Sequence, residues 1–163
     1  MKNFLCTLIL AFSLNIANAQ PQSKQIEKQT LIQRLDSLEH NLDYLKIDYD
    51  LKTINTDLTT LVNEINIKIL SIQLDIYTKN FSFSLLNIFK DYYDATLHQK
   101  ETLYTLAEAQ KELCMLKLTT YPFSELERNT LTASYNLIDK RFSRLETYIN
   151  ALKEIIDVYK SFI

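Results

Sequence analysis

Residues 131–163 read LTASYNLIDKRFSRLETYINALKEIIDVYKSFI, with an apolar side chain at ten successive heptad positions. These are Leu131, Tyr135, Ile138, Phe142, Leu145, Ile149, Leu152, Ile156, Tyr159 and Ile163. The alternating 4,3 spacing keeps one stripe of a helix facing a partner helix. Ile149, Ile156 and Ile163 stand at a with Leu145 and Leu152 at d, but Tyr148, Ile155 and Phe162 at g widen the stripe beyond a two-stranded seam. Bundle packing is therefore expected along this helix, with Asp139, Glu146, Lys153 and Lys160 at e in solvent. Ser124-Glu125-Leu126-Glu127 reads as a capping box that opens it.

The rest of the chain is read outward from this helix. It holds no glycine and two prolines, Pro21 and Pro122, in 163 residues. At an average usage of about 7%, roughly eleven glycines would be present. Their absence removes the positive-φ turns and phosphate-cradling loops on which kinase and nucleotide-binding motifs depend, and the nucleophile elbow of the hydrolases with them.

Preceding helices show the same periodicity. Leu31, Leu35, Leu38, Leu42, Leu45 and Tyr49 form one 4,3 seam. A second register runs through Ile47, Leu51, Ile54, Leu58, Leu61 and Ile65 to Ile69, Ile72 and Ile76, displaced from the first by two residues. The displacement falls beside Lys52-Thr53-Ile54-Asn55-Thr56-Asp57-Leu58-Thr59-Thr60, a run of weak helix formers that compete for backbone hydrogen bonds. One long bent helix opening near Ser23 is expected, or two helices if the chain breaks near Thr53. In the turn that follows, Asn80 is the expected left-handed cap and Ser84 the expected start of the next helix. That helix, about Ser84 to Leu118, carries two apolar stripes, one through Leu85, Ile88, Tyr92, Leu106 and Leu116, the other through Leu86, Phe89, Tyr93, Ala107 and Cys114. It should be contacted from two sides.

The expected fold is all-α: an elongated antiparallel three-helix bundle with coiled-coil packing, or a four-helix bundle if the first helix breaks. A first helix of 55 residues would reach about 80 Å against about 50 to 60 Å for the others. If it is continuous, its Leu31 to Leu45 seam lies in water unless another chain covers it.

The first nineteen residues read as a cleaved signal peptide: Lys2, an apolar run from Phe4 to Ile16, then Ala17-Asn18-Ala19. The run is shorter than the roughly 20 residues a membrane-spanning helix needs. Residues 20–163 are then one mature domain in the periplasm or outside the cell, without a transmembrane segment. Cleavage discards Cys6 and leaves Cys114 alone, so no disulfide forms within the chain; an odd cysteine leaves a bridge between chains open. The 18 basic residues less Lys2 leave 17 against 20 acidic ones, interspersed. No basic face invites nucleic acid.

Two histidine sets have helical ligand spacing, Asp36 with His40 and Asp94 with His98 and Glu101, but the Glu-x-x-His motif of metal-binding bundles is missing. Solvated ion pairs explain them, and neither a metal, a cofactor nor an enzyme activity is expected. Asn80-Phe81-Ser82 matches a glycosylation sequon. The expected activity is protein–protein interaction, through a partner protein or a homo-oligomer seated on the seam. Candidate contacts are Leu31, Leu35, Leu38, Leu42 and Leu45, with the loop aromatics Phe81, Phe83, Tyr121 and Phe123. The other class considered is a binder of apolar cargo, either lipid or a client polypeptide. Mixed charge beside the seam speaks against lipid, which favours Lys and Arg on the polar face.

Overall fold

The computed structural model describes the backbone of residues 2–163 and the side chains of residues 25–163. Three helices follow in order, α1 (Lys2–Tyr77), α2 (Phe83–Thr120) and α3 (Glu125–Lys160). The signal-peptide pattern and Cys6 fall outside the described side chains. Backbone helix begins well before Ser23, as a glycine-free run of Leu, Ala and Ile allows.

α1 crosses Lys52 to Thr60 without a break, so the four-helix alternative does not arise. The side chains expected to compete with the helix bond back along it instead. Asn55 Nδ2 donates to the Leu51 carbonyl, Thr56 Oγ1 to that of Lys52 and Thr59 Oγ1 to that of Asn55, each at 2.9 Å. Leu51, Ile54 and Leu58 are wholly buried between them, and burying such side chains is worth about 1.5–3 kcal/mol each, enough to outweigh weak local propensity.

The chain divides into two units, Met1–Asp43 and Tyr44–Ile163. In the first, residues 25–39 of α1 are all exposed. The second is the helical bundle. Its core takes Ile47, Leu51, Ile54, Leu58, Ile65 and Ile72 from α1 and Leu86, Phe89, Ala107 and Cys114 from α2. From α3 come Leu131, Ile138, Phe142, Leu145, Ile149, Leu152, Ile156 and Tyr159, eight of the ten expected seam positions. Tyr135 is half-buried and Ile163, past the helix end, is exposed.

Polar contacts fix the helix directions. Lys100 Nζ meets Glu146 Oε1 and Lys111 Nζ meets Asp139 Oδ1, both at 2.8 Å, so α2 and α3 are antiparallel. Asp139 and Glu146 thus flank the α2–α3 contact as well as facing solvent. Asn55 Nδ2 donates to the Ser134 carbonyl at 3.0 Å, and Tyr159 Oη donates to the Asn80 carbonyl at 2.8 Å, so α1 and α3 run parallel.

Each turn is closed by hydrogen bonds. After α1, Lys79 rather than Asn80 takes the left-handed conformation, at φ 55°. Asn80 N–H donates to the Asp75 carbonyl at 2.8 Å and Lys79 N–H to that of Ile76 at 3.1 Å, a Schellman closure that puts the left-handed residue at 79. The Asn80 side chain is engaged by Asp75 Oδ1 at 2.9 Å. Ser82, not Ser84, caps α2 through Leu85 N–H. Between α2 and α3, Arg128 donates to the carbonyls of Leu118, Tyr121 and Phe123 at 2.7, 2.9 and 3.1 Å, serving the end of α2 and the Pro122 turn. The capping box is formed as expected: Ser124 Oγ accepts from Glu127 N–H at 3.3 Å, and Glu127 Oε2 accepts from Ser124 N–H at 2.8 Å.

Candidate interaction surface

Successive positions of a heptad seam lie on one side of an α-helix, and the residues of the first register are helical in each unit. In the first unit Leu31, Leu35, Leu38 and Leu42 lie in solvent, and in the second so do Leu45 and Tyr49. Their exposure falls between 58% and 69%. This is a leucine face with the spacing of a packed seam and no core beneath it.

The two-residue displacement between registers explains the exposure. Two residues of an α-helix turn the side chain by about 200°. Within the second unit, Leu45 and Tyr49 are accordingly exposed while Ile47 and Leu51, two places on, are buried. In this unit α2 and α3 cover the second register, which leaves Leu45 and Tyr49 on the far side of the helix.

The same outer side of α1 turns apolar again further along. Ile67, Leu70, Leu74 and Tyr77 are all exposed and follow a 3,4,3 spacing, and Phe83 at the start of α2 is exposed as well. The sequence reading missed the first four because Ile65, Ile69, Ile72 and Ile76 draw attention to the opposite face. The 3,4,3 spacing was the available signal.

The loop aromatics separate into different environments. Phe81 is half-buried, stacked on Phe162 at 5.0 Å and tilted against Tyr159 at 5.5 Å. Tyr121 is also half-buried, with the Lys117 ammonium 5.0 Å from its ring. Phe123 belongs to the core, held edge-on by Tyr44 at 6.2 Å and against Tyr121 at 5.4 Å, so it offers no outward contact. Of this group, Phe83 alone is an exposed ring.

α2 meets its expected two-sided burial only in part. In one stripe Leu86, Phe89, Ala107 and Cys114 are buried but Tyr104 is exposed, and in the other Leu85, Tyr92 and Leu113 are half-buried while Ile88, Leu106 and Leu116 are exposed. Cys114 is enclosed in the core, and burial pushes its thiol above the ordinary range. A bridge to another chain would require the bundle to open around it.

Asp36, Asp94, His98 and Glu101 are exposed and His40 is half-buried on α1. No group of three or more metal-ligating side chains is assembled among the described residues. His98 joins Asp57 and Glu64 along an α1–α2 groove of about 340 Å³. Lys111 sits between Glu108 Oε1 at 3.1 Å and Asp139 Oδ1 at 2.8 Å, with its ammonium 4.9 Å from the Tyr135 ring. Burial alone would lower its pKa, but the two carboxylates outweigh that and raise it. It is a structural clamp between α2 and α3. No helix among the described residues is long and apolar enough to cross a membrane. No family model, curated relative or solved structure matches the chain.

Proposed function

We propose that this chain is an exported, non-enzymatic assembly protein that works by docking the leucine face of α1 onto a helix of another polypeptide. One observation carries the reading: side chains with the spacing of a packed seam stand in water, while the bundle in the same chain is filled by a separate register. An exposed apolar stripe of this regularity marks an interaction site. The flanking charges favour a protein helix over a lipid surface. Arg34, Asp36, Glu39 and Lys46, two of each sign, are exposed, whereas a helix lying on lipid gathers Lys and Arg on its polar side. Export rests on the Lys2, Phe4 to Ile16 and Ala17-Asn18-Ala19 pattern.

The test is light scattering of the secreted chain beside Leu35→Asp/Leu42→Asp, together with mass spectrometry of its N-terminus. The proposal expects a terminus at Gln20, and an assembly that the double substitution dissociates while helicity and melting of the bundle are retained. Loss of helical structure in the double variant would make the seam a core element and remove the basis for the proposal. A lipid cargo would appear as co-purifying lipid released by the same substitutions, and would replace the protein-docking reading.

A further inference from the structure

Resting on the leucine face as a helix-docking surface, we propose that its occupant is a second copy of this chain, laid parallel and in register as a two-stranded coil. With Leu35 and Leu42 at a and Leu31 and Leu38 at d, Arg34 falls at g and Glu39 at e. Both are exposed beside the seam. In a parallel pair, a g side chain faces the e side chain five residues on in the other strand. Arg34 therefore meets Glu39 of the second copy, and two-fold symmetry makes the contact twice. Asn41 faces Lys46 without conflict.

The antiparallel alternative fits less well. Seating Leu38 on Leu42 of the second copy sets Glu39 beside Glu39, a like-charge contact. The attraction it offers in exchange, Arg34 to Asp48, draws on a carboxylate already bonded to Lys52 Nζ at 2.7 Å. Size sets the strength. Half-exposed leucines along about three heptads give an interface at or below the roughly 1,200 Å² lower limit of stable complexes, so the pair should separate on dilution in the micromolar range.

The experiment uses the full chain with Cys6 and Cys114 both changed to Ala, carrying Leu31→Cys, Tyr49→Cys or an equal mixture of the two, oxidised with copper phenanthroline. Sedimentation equilibrium of the unmodified chain supplies the mass. A dimer in which Leu31→Cys cross-links to itself, weakened about tenfold by Arg34→Glu and restored by Arg34→Glu/Glu39→Arg, is the expected result. Cross-links only between Leu31→Cys and Tyr49→Cys would overturn the parallel arrangement. A monomer at every concentration would overturn the second copy as occupant while leaving a foreign helix as the docked partner. Only loss of the folded bundle in Leu35→Asp/Leu42→Asp would remove the docking face itself.

Discussion

The same substitution at two leucines of α1 should have opposite consequences. Leu58 is fully buried in the bundle core and Leu38 is 58% exposed. Leu58→Ala removes a side chain packed on all sides and leaves a cavity, which costs about 2.7–5 kcal/mol. For a chain of this length each kcal/mol lowers Tm by about 2–4 °C, so the melt should fall by roughly 5 to 20 °C. Leu38 is less than half removed from water. Its truncation loses under about 1 kcal/mol of transfer energy, and the higher helix propensity of alanine returns part of that. The assay is thermal unfolding followed by far-UV circular dichroism at submicromolar concentration, where copies are apart. Leu38→Ala should melt within about 3 °C of the parent, yet raise the concentration at which the chain associates. Equal losses from the two variants would show that the first register is core after all and would refute the assignment of faces on α1.

Arg128→Leu strips three backbone carbonyls of a charged donor at the α2–α3 turn and should cost about 2–4 kcal/mol in urea unfolding. Arg128→Lys should recover little, since a single ammonium cannot reproduce the fork; full recovery would contradict that role. Lys79→Gly relieves a left-handed residue and should stabilise by about 0.5–1 kcal/mol, the greater freedom of unfolded glycine having offset part of the gain. Lys79→Ala, with the same Cβ, should leave the midpoint unchanged. Buried Cys114, its thiol pushed up by its surroundings, should react with Ellman's reagent only as fast as the bundle opens. Rapid labelling of the folded chain would place it at the surface.

Legibility tracked how local the deciding interaction was. The α3 seam and the Ser124–Glu127 box were readable because spacing and a three-residue reciprocal bond suffice to specify them. The left-handed site was assigned to Asn80 by residue type, but the Schellman geometry of the last α1 turn selects position 79 and the Asp75 side chain occupies Asn80. Phe123 looked like an exposed loop aromatic because its burial depends on Tyr44, which arrives from a segment 79 residues earlier. Arg128 gave no signal at all, since its partners are carbonyls, which every residue carries. The α2 stripe through Ile88, Leu106 and Leu116 was read as covered, but periodicity measures how wide an apolar face is and not whether a neighbour is there to cover it.

That last distinction also governs α1. Within the bundle unit its outer side runs Leu45, Tyr49, Lys52, Thr56, Thr60, Asn63, Ile67, Leu70, Leu74 and Tyr77, all exposed. A helix apolar on both sides along its whole length would need covering throughout, and would be prone to nonspecific association. Lys52, Thr56, Thr60 and Asn63 interrupt the outer stripe where the inner one is most completely buried, at Ile54, Leu58 and Ile65. They separate Leu45 and Tyr49 from a second apolar patch that begins at Ile67. A docking helix gains apolar contact only up to that polar stretch. Within the bundle unit, the two-residue slip between registers thus gives one face of α1 to the core, through Ile47 and Leu51, and leaves Leu45 and Tyr49 on the other, in solvent.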